Sequence, residues 1–310
     1  MDHRPAPSCA RRARGTAQTA LVALVALCAL PLLLACGRDE ATDTPTATPQ
    51  RIASLSPLAS ALLLELDAVD RIVAVDADSV DLPGLSGRPT IPDADETAFL
   101  TLSAVEPDLI VVPESRAELA ARLAGANYRT VIVAVHDFND GFTLWGELAG
   151  RLGVAAAAGP RIAEASRRLA QIAAESQGFS RPRVAAIQTF EPLALVGNRR
   201  LETALIEAAG GESVTDVSAA VPDSASPIDR EALRALAPEL LLHASPRPIA
   251  ESELRALVEE FASIAPLVFV ELDPARLFTA EASESPGAVE AARTLRAAIA
   301  PLARPLAETP

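Results

Sequence analysis

Two histidines are the residues of this chain that could most directly bind a metal-containing ligand. Of the 3 histidines in the sequence, His136 and His243 lie well inside the chain, and each follows an apolar run that we predict to be a β-strand. A neutral imidazole is a ready ligand for heme iron or zinc. The alternative for each histidine is a structural role, in which the side chain caps a strand end or simply faces water.

The other candidate ligand contacts also lie directly after predicted strands. In parallel α/β sheets, ligands bind outside the carboxyl ends of the strands, where the loops converge. The candidates are Ser56, Asp76, Glu114, Arg116, His136 and Asp137 in the first half of the chain, and Thr189, Phe190, Glu191, His243, Arg247 and Asp273 in the second half. A solvated loop position is the alternative for each of them.

The sequence contains none of the motifs that would indicate catalysis. It has no Gly-x-Ser-x-Gly nucleophile elbow and no phosphate-binding glycine loop. His, Asp and Glu form no close cluster of the kind that holds a metal ion. We therefore expect a binding protein and not an enzyme, with no catalytic residue, no metal ligands and no cofactor.

The chain is acidic, and all 27 of its basic residues are arginines. Its formal net charge is −14, and a nucleic-acid partner is not expected, because phosphate binding needs a basic face. Arg116, Arg199, Arg200 and Arg247 could bind carboxylates or other anionic groups of a ligand through bidentate hydrogen bonds. Surface solubility is the alternative role for most of these arginines.

The first 35 residues have the composition of a signal peptide. A basic head, which includes Arg4 and Arg14, precedes an apolar run over residues 20–34. A helix needs roughly 20 apolar residues to span a membrane, and this run is shorter. We predict that residues 1–35 are a removable targeting segment and that the protein is exported.

The end of this run, Leu33-Leu34-Ala35-Cys36-Gly37, resembles the lipobox of bacterial lipoproteins. The resemblance implies cleavage before Cys36 and a lipid anchor on its sulfur, which holds the protein on the extracytoplasmic side of a membrane in the periplasm. Ordinary secretion, with Cys36 incidental, is the alternative. Cys36 would be the only cysteine of the mature chain, so disulfides are excluded. Residues 36–50, rich in Thr, Ala, Pro and acids, are predicted to be a flexible tether.

From residue 51 onward, short apolar runs alternate with Ala- and Leu-rich segments of helical period, which is typical of α/β folds with mainly parallel sheets. Strands are predicted near residues 51–55, 71–75, 108–112, 130–135, 183–188, 193–196, 239–243 and 268–272, and helices near 58–66, 99–105, 117–124, 201–209, 229–236, 251–264 and 286–302. A helical region over about 144–176 separates the two series, and we expect interruptions at Gly153 and at Gly159-Pro160. The pattern predicts a first lobe over residues 51–142, a connecting helical region over 143–180 and a second lobe over 181–305.

The two predicted lobes share a sequence repeat. Leu102-Ser-Ala-Val105-Glu-Pro107-Asp108-Leu-Ile-Val in the first lobe matches Leu233-Arg-Ala-Leu236-Ala-Pro238-Glu239-Leu-Leu-Leu in the second. In each copy a proline ends a helix, because it is disfavoured in a helix interior, and an acidic residue begins a buried strand. The repeat indicates two similar lobes.

Several segments together resemble the periplasmic substrate-binding proteins of ABC importers for iron-siderophores, heme and cobalamin. They are Arg51-Ile-Ala-Ser-Leu-Ser56-Pro57, Asp70-Arg-Ile-Val-Ala-Val75, the two repeat units, Pro192-Leu-Ala-Leu-Val-Gly197, Leu205-Ile-Glu-Ala-Ala-Gly-Gly211 and Ser285-Pro286-Gly287. The resemblance implies two α/β lobes joined by one long rigid helix, for which residues 160–176 are the candidate. It also implies a monomeric protein that captures a metal-chelate small molecule between the lobes and delivers it to the transmembrane subunits of an ABC permease.

The resemblance further implies that a Glu on each lobe docks on the permease, seven residues before the proline of the repeat. Glu231 has this position relative to Pro238, whereas Leu100 has it relative to Pro107. Glu96, about one turn earlier, is the nearest substitute in the first lobe. Two alternatives stay open: a different partner permease, and a lipoprotein sensor or scaffold that keeps the fold without transport.

Overall fold

The computed structural model describes residues 47–198, 200–215, 226–245, 249–273, 276–278 and 287–306. The predicted signal segment, Cys36 and most of the predicted tether lie outside these residues, as do Arg199 and Arg247. Within the described ranges, no helix combines the length and the apolar character needed to cross a membrane.

A parallel sheet forms the centre of the first lobe. Its strands are β1 (Ile52–Ser54), β2 (Ile72–Val75), β3 (Leu109–Pro113) and β4 (Thr130–Val133), in the spatial order β2-β1-β3-β4. The strands are nearly continuous runs of aliphatic side chains, and in β3 residues 109–112 are completely buried. Both faces of such a sheet must be covered, since neither can be left to water.

Four described helices follow the strands of this sheet: α1 (Pro57–Glu65), α2 (Asp95–Val105), α3 (Ala117–Gly125) and α4 (Phe138–Leu152). Ser56 caps α1 and Asp137 caps α4, each by accepting a hydrogen bond from a backbone N–H of the first turn. The caps follow the ends of β1 and β4. Strand ends are thus tied closely to helix starts, which fixes the loops at this edge of the sheet.

One long helix, α5 (Ala155–Ala174), joins the lobes. The predicted interruption at Gly153 is confirmed, because this glycine has a φ of 75° and ends α4. The predicted interruption at Gly159-Pro160 is wrong, because α5 continues through it. Pro160 cannot donate to the Ala156 carbonyl, but Ala156 is exposed, so water can replace the missing donor.

The second lobe is built on a mixed sheet. Its described strands are β5 (Arg183–Phe190), β6 (Leu193–Leu195), β7 (Glu212–Ser213), β8 (Ser226–Pro227), β9 (Leu240–Ser245) and β10 (Leu267–Glu271), and its described helices are α6 (Leu201–Ala208), α7 (Arg230–Ala235), α8 (Glu251–Phe261) and α9 (Gly287–Ile299). The order is β10-β9-β5-β6-β8, with β7 beside β5. β9 runs parallel to β5 and β10, whereas β6 is antiparallel to β5 and β8.

The two lobes share one large core cluster. It combines buried side chains of the first sheet, such as Val111, and of the second, such as Leu242, with Leu169 of α5. A separate cluster covers the other face of each sheet. The fold is therefore α/β, with two similar lobes of mainly parallel strands joined by one long α-helix, as predicted.

Candidate ligand site

A cavity of about 200 Å³ takes its walls from both lobes. The first lobe contributes Val135, which follows β4. The second lobe contributes Leu272, which follows β10, together with Leu277 and the residues Arg200, Leu201 and Glu202 at the start of α6. The cavity thus lies beyond the carboxyl end of a strand from each lobe, which is where parallel α/β sheets bind ligands.

The cavity combines apolar walls with one positive and one negative side chain. Among the described residues, the side chains of Arg200 and Glu202 form no ion pair and no hydrogen bond. Small-molecule sites typically have this composition, with a mostly apolar lining and a few polar groups that orient the ligand. The guanidinium of Arg200 could bind an anionic group of a ligand whose body packs against the leucines.

Sequence reasoning identified Arg200 as a possible anion ligand but missed the rest of this lining. The rule that ligands bind near residues just after strands applies equally to Val135 and Leu272, but the candidates chosen from the sequence are mainly polar side chains. Leu277 lies in a segment without periodicity, so no signal in the sequence identifies it.

Ser56 and Asp76 are buried residues that shape the loops after β1 and β2. Ser56 Oγ accepts a hydrogen bond from the backbone N–H of Ala59 at 3.4 Å. Asp76 accepts hydrogen bonds from Ser79 Oγ at 2.6 Å and from the backbone N–H of Asp78 at 3.0 Å. Burial raises the pKa of Asp76 above its ordinary value, and the hydrogen bond from Ser79 opposes this shift.

The guanidinium of Arg116 is held within the first lobe. Its Nε donates to Asp95 Oδ1 at 2.9 Å, and its second terminal nitrogen donates to the Pro92 carbonyl at 3.2 Å. The side chain is only 15% exposed. Arg116 therefore connects the loop after β3 to the start of α2, and two of its three guanidinium nitrogens already have partners there.

Glu114, His136 and Asp140 form a cluster beyond the ends of β3 and β4. His136 Nε2 lies 3.1 Å from Glu114 Oε2, and Nδ1 lies 3.5 Å from Asp140 Oδ2. The backbone N–H of His136 donates to the same Asp140 oxygen at 3.0 Å. Each ring nitrogen of His136 thus faces a carboxylate oxygen, which only accepts hydrogen bonds, and this favours a proton on the nitrogen over a lone pair directed at a metal.

His243 and Phe190 lie in an aromatic cluster of the second lobe. Both are inside strands that extend further than predicted, because β5 continues to Phe190 and β9 to Ser245. His243 Nδ1 bonds the Ile187 carbonyl at 2.8 Å, so Nδ1 carries a proton and, in a neutral ring, Nε2 keeps its lone pair. The imidazole lies 4.8 Å from the Phe190 ring and 5.7 Å from the Phe269 ring.

This aromatic cluster is separate from the cavity. Phe190 and Phe269 pack against the core cluster on one face of the second sheet, whereas Leu272 and Leu277 belong to the core cluster shared by the lobes. His243 therefore has a nitrogen suited to metal binding but does not line the cavity.

Among the predicted ligand contacts that the structure describes, Arg200 lines the cavity. The described candidates that follow strands do not line it; they are Ser56, Asp76, Glu114, Arg116, His136, Asp137, Thr189, Phe190, Glu191, His243 and Asp273. His136 and Asp273 come closest in the chain, since they directly follow Val135 and Leu272. Their role in binding stays a prediction. Across the described residues, no group of three or more His, Cys, Asp or Glu side chains is placed to hold a metal ion.

Residues 52–264 match the family model of the periplasmic binding proteins. The chain belongs to this family. The family predicted from the sequence is thereby confirmed. No curated protein sequence matches the chain significantly.

Solved structures that share the fold of this periplasmic binding protein include three bacterial proteins. A periplasmic heme-binding protein from Pseudomonas aeruginosa has a TM-score of 0.63 at 22% identity, with 84% of this chain and 95% of that chain covered. The vitamin B12-binding protein BtuF of Vibrio cholerae has a TM-score of 0.64 at 12% identity, with 82% and 97% covered. Helicobacter pylori CeuE with Ni(II) bound has a TM-score of 0.64 at 15% identity, with 83% and 85% covered.

The predicted docking positions of this periplasmic binding protein lie on exposed helical turns. Glu231 is exposed in the first turn of α7. Leu100 of α2 is 68% exposed, and Glu96 is exposed about one turn earlier on the same helix. An apolar side chain therefore faces water at the position where the sequence resemblance predicts the docking acid of the first lobe.

Proposed function

We propose that this periplasmic binding protein captures a metal-chelate nutrient of the iron-siderophore, heme or cobalamin type and delivers it to an ABC permease. The family match over residues 52–264 supports solute binding outside the cytoplasm. The heme- and vitamin B12-binding neighbours support the class of ligand. The proposal requires neither catalysis nor a nucleic-acid partner.

The cavity shared by the lobes is the observation that carries this proposal. Val135 of one lobe faces a space that is closed by Leu272 and Leu277 of the other, so a bound molecule would contact both lobes. Drug-sized ligands occupy sites of roughly 300–1,000 Å³, which is larger than the 200 Å³ found here. A large chelate would therefore extend beyond this cavity into the surrounding space between the lobes.

We also propose that the protein acts as a monomer anchored in the periplasm by a lipid on Cys36, with lobes over residues 51–142 and 181–305 and a connecting region over 143–180. The lipobox-like residues before Cys36 support the anchor. Growth of the producing cells with labelled palmitate tests it. The protein should take up label, a Cys36→Ser variant should not, and an unlabelled wild-type protein would leave simple export as the explanation.

A sensor or scaffold without transport is the second candidate function. The exposed Leu100 favours it, because the docking acid that the sequence resemblance predicts on this lobe is missing. Under this alternative the protein would still bind a chelate but would not stimulate uptake. Adjacent genes for a permease and an ATPase would argue against it.

Titration of the purified protein with hemin, cyanocobalamin and a panel of ferric siderophores tests ligand capture. We expect one of these chelates to bind with one molecule per chain and a Kd of about 1 μM or below, which corresponds to a binding free energy of about −8 kcal/mol or better. Failure of the entire panel would contradict the metal-chelate proposal.

A cavity-filling substitution tests the location of the site. Val135→Trp adds a large ring to a wall of the cavity and should abolish binding of the chelate found by titration. Ile132→Trp is the matched control, because Ile132 lies nearby on β4 and is 51% exposed. If a folded Val135→Trp variant binds with unchanged affinity, the ligand binds elsewhere.

A further inference from the structure

Phe278 of the second lobe packs into the first lobe. It is completely buried, and its ring lies directly against Gly141 of α4. A Cβ atom built on Gly141 would lie 1.9 Å from Cζ and 2.2 Å from Cε2 of Phe278, far inside van der Waals contact. The ring therefore occupies the space that any other residue at position 141 would need.

Two aromatic side chains of α4 enclose the same ring. Phe142 and Phe278 have centroids 5.2 Å apart at an interplanar angle of 70°, and Phe138 and Phe278 have centroids 6.4 Å apart at 78°. Both are edge-to-face arrangements, which aromatic pairs prefer. Phe138, Gly141 and Phe142 share one face of α4, since they are three and four residues apart, and together they form a notch that fits one ring.

The backbone that carries Phe278 is fixed to the second lobe. The N–H of Gly287 donates to the Arg276 carbonyl at 3.1 Å, and the N–H of Ala288 donates to the Leu277 carbonyl at 2.8 Å. These bonds hold residues 276–278 on the first turn of α9. A Cβ on Gly287 would lie 2.7 Å from the Arg276 carbonyl oxygen, so this approach also requires a glycine.

The contact lies beside both walls of the cavity. Leu277, a wall residue, directly precedes Phe278. On the other side, Val135 is followed by His136, by the Asp137 cap and by Phe138 of the notch. Phe278 is therefore joined directly to the Leu277 wall, and its partner Phe138 is joined to the Val135 wall through residues 136–137.

We propose that Phe278 is a positioning residue that clamps the lobes together and sets the separation between the Val135 and Leu277 walls. α5 joins the lobes covalently, and the clamp provides a second, non-covalent connection next to the cavity. The clamp itself is independent of the ligand; only its importance for binding rests on the proposed function, in which this cavity is the ligand site.

Hydrogen–deuterium exchange of the purified full chain tests the clamp without a ligand. Phe278→Ala should raise exchange by about tenfold in residues 135–142 and 276–278, relative to β3, because local opening there no longer breaks an aromatic contact. Phe261→Ala is the matched control, since Phe261 is 1% exposed and packs within the second lobe. It should leave residues 135–142 unchanged. Equal changes in both variants, or no change in residues 135–142, would overturn the clamp.

Changing the side-chain sizes at positions 141 and 278 together provides an independent test. This test does not require the Phe278→Ala variant to be stable. Gly141→Ala should displace the ring and produce the same local rise in exchange. Adding Phe278→Leu to Gly141→Ala should reverse part of that rise, because the smaller side chain leaves room for the new Cβ. A harmless Gly141→Ala substitution would overturn the proposed fit of the ring.

Hemin binding separates the positioning role from a purely structural one. Phe278→Ala should weaken hemin affinity about tenfold, which corresponds to about 1.4 kcal/mol, and Phe261→Ala should not. Local opening without any loss of hemin affinity would overturn the positioning role while the clamp stands. Absence of hemin binding by the wild-type protein would count against heme as the ligand. The hydrogen–deuterium exchange experiment would still test the clamp in that case.

Discussion

Arg51 and Asp108 hold each other through reciprocal hydrogen bonds between the first strand and the third. The backbone N–H of Arg51 donates to Asp108 Oδ1 at 3.0 Å, and the backbone N–H of Asp108 donates to the Arg51 carbonyl at 2.8 Å. Arg183 and Glu239 repeat this arrangement in the second lobe, at 3.0 Å and 2.8 Å. The sequence repeat therefore has a structural role. Its acidic residue joins the start of β3 to the start of β1 in the first lobe, and the start of β9 to the start of β5 in the second lobe.

The two arginines extend the same connection to a helix end. The Arg51 guanidinium donates to the carbonyls of Val105 and Glu106, at the end of α2. The Arg183 guanidinium donates to the carbonyl of Leu236, at the end of α7. Cations are favoured at helix C-termini, where carbonyl groups lack partners. Each lobe thus ties a helix end, a strand start and an acidic side chain together.

Asp108→Ala should destabilise the protein by about 1–3 kcal/mol, because two backbone N–H groups lose a charged acceptor. The second of these donors is Gln50, whose N–H lies 2.8 Å from Asp108 Oδ2. Urea unfolding measures the change. Asp81→Ala, at an exposed position, is the control and should stay within about 0.5 kcal/mol of wild type. Equal stabilities of the two variants would show that the reciprocal bonds contribute little.

Glycine at Glu106 or at Ala237 should stabilise the protein. Both residues have left-handed backbone, with φ values of 46° and 47°, which costs a side-chain-bearing residue about 1–2 kcal/mol. Part of this gain is offset by the greater freedom of glycine in the unfolded chain, so a net gain of about 0.5–1 kcal/mol is expected. Thermal unfolding measures it, and Ala104→Gly inside α2 should lower stability instead. A loss at position 106 or 237 would contradict the prediction.

Most of the fold could be predicted from the sequence because its strands are short, continuous apolar runs. A pattern of this kind locates β3 within a residue, since every side chain from 109 to 112 is buried. The error at Pro160 has a different origin. Sequence rules assign proline an average cost in a helix, but the actual cost depends on whether the orphaned carbonyl is exposed, and the sequence alone does not specify the exposure of Ala156.

The site was harder to predict because its key contacts join residues far apart in the chain. The position after a strand selects His136, which directly follows the cavity residue Val135, but it does not reveal that Glu114 lies 3.1 Å from the imidazole. The contact of Phe278 with Gly141 leaves no local signal at all. Neither residue has a periodic pattern that points to the other, and only the packed lobes bring them together.

Asp76→Asn should change stability in a pH-dependent way. Burial raises the pKa of Asp76 above the ordinary value of 3.8. The protonated carboxyl therefore contributes stability that is present below pH 3.8 and lost as the pH rises through the raised native pKa. Asparagine has no ionisable proton and gains no charge as the pH rises, and its side chain can still bond Ser79 and the N–H of Asp78.

Urea unfolding at several pH values from acid to neutral checks this expectation. The stability of Asp76→Asn relative to wild type should increase as the pH rises across that range. Asp81→Asn is the matched control for removal of one negative charge, at an exposed site. If the free energies of unfolding of both variants change with pH in the same way as that of wild type, burial of Asp76 has no consequence for folding.

Glu231→Ala and Leu100→Glu should have opposite effects on delivery to the permease. Both side chains face water, so neither substitution should change stability by more than about 0.5 kcal/mol. If Glu231 docks on cationic residues of the partner, its removal should lower uptake several-fold without changing ligand affinity, because charges at an interface act mainly on association. Glu253→Ala, on an exposed turn of α8, controls for the loss of one charge.

Leu100→Glu decides between transport and sensing. In a working importer a new acid at this position supplies the second docking contact, so uptake by cells that contain the permease should rise. A permease adapted to an apolar side chain at position 100 would instead respond with reduced uptake, since a carboxylate would be buried against an apolar surface without a partner. If Leu100→Glu, Glu231→Ala and the Glu253→Ala control all leave uptake unchanged, the exposed surface of these helices does not dock on a permease, and the sensor or scaffold function is the better explanation.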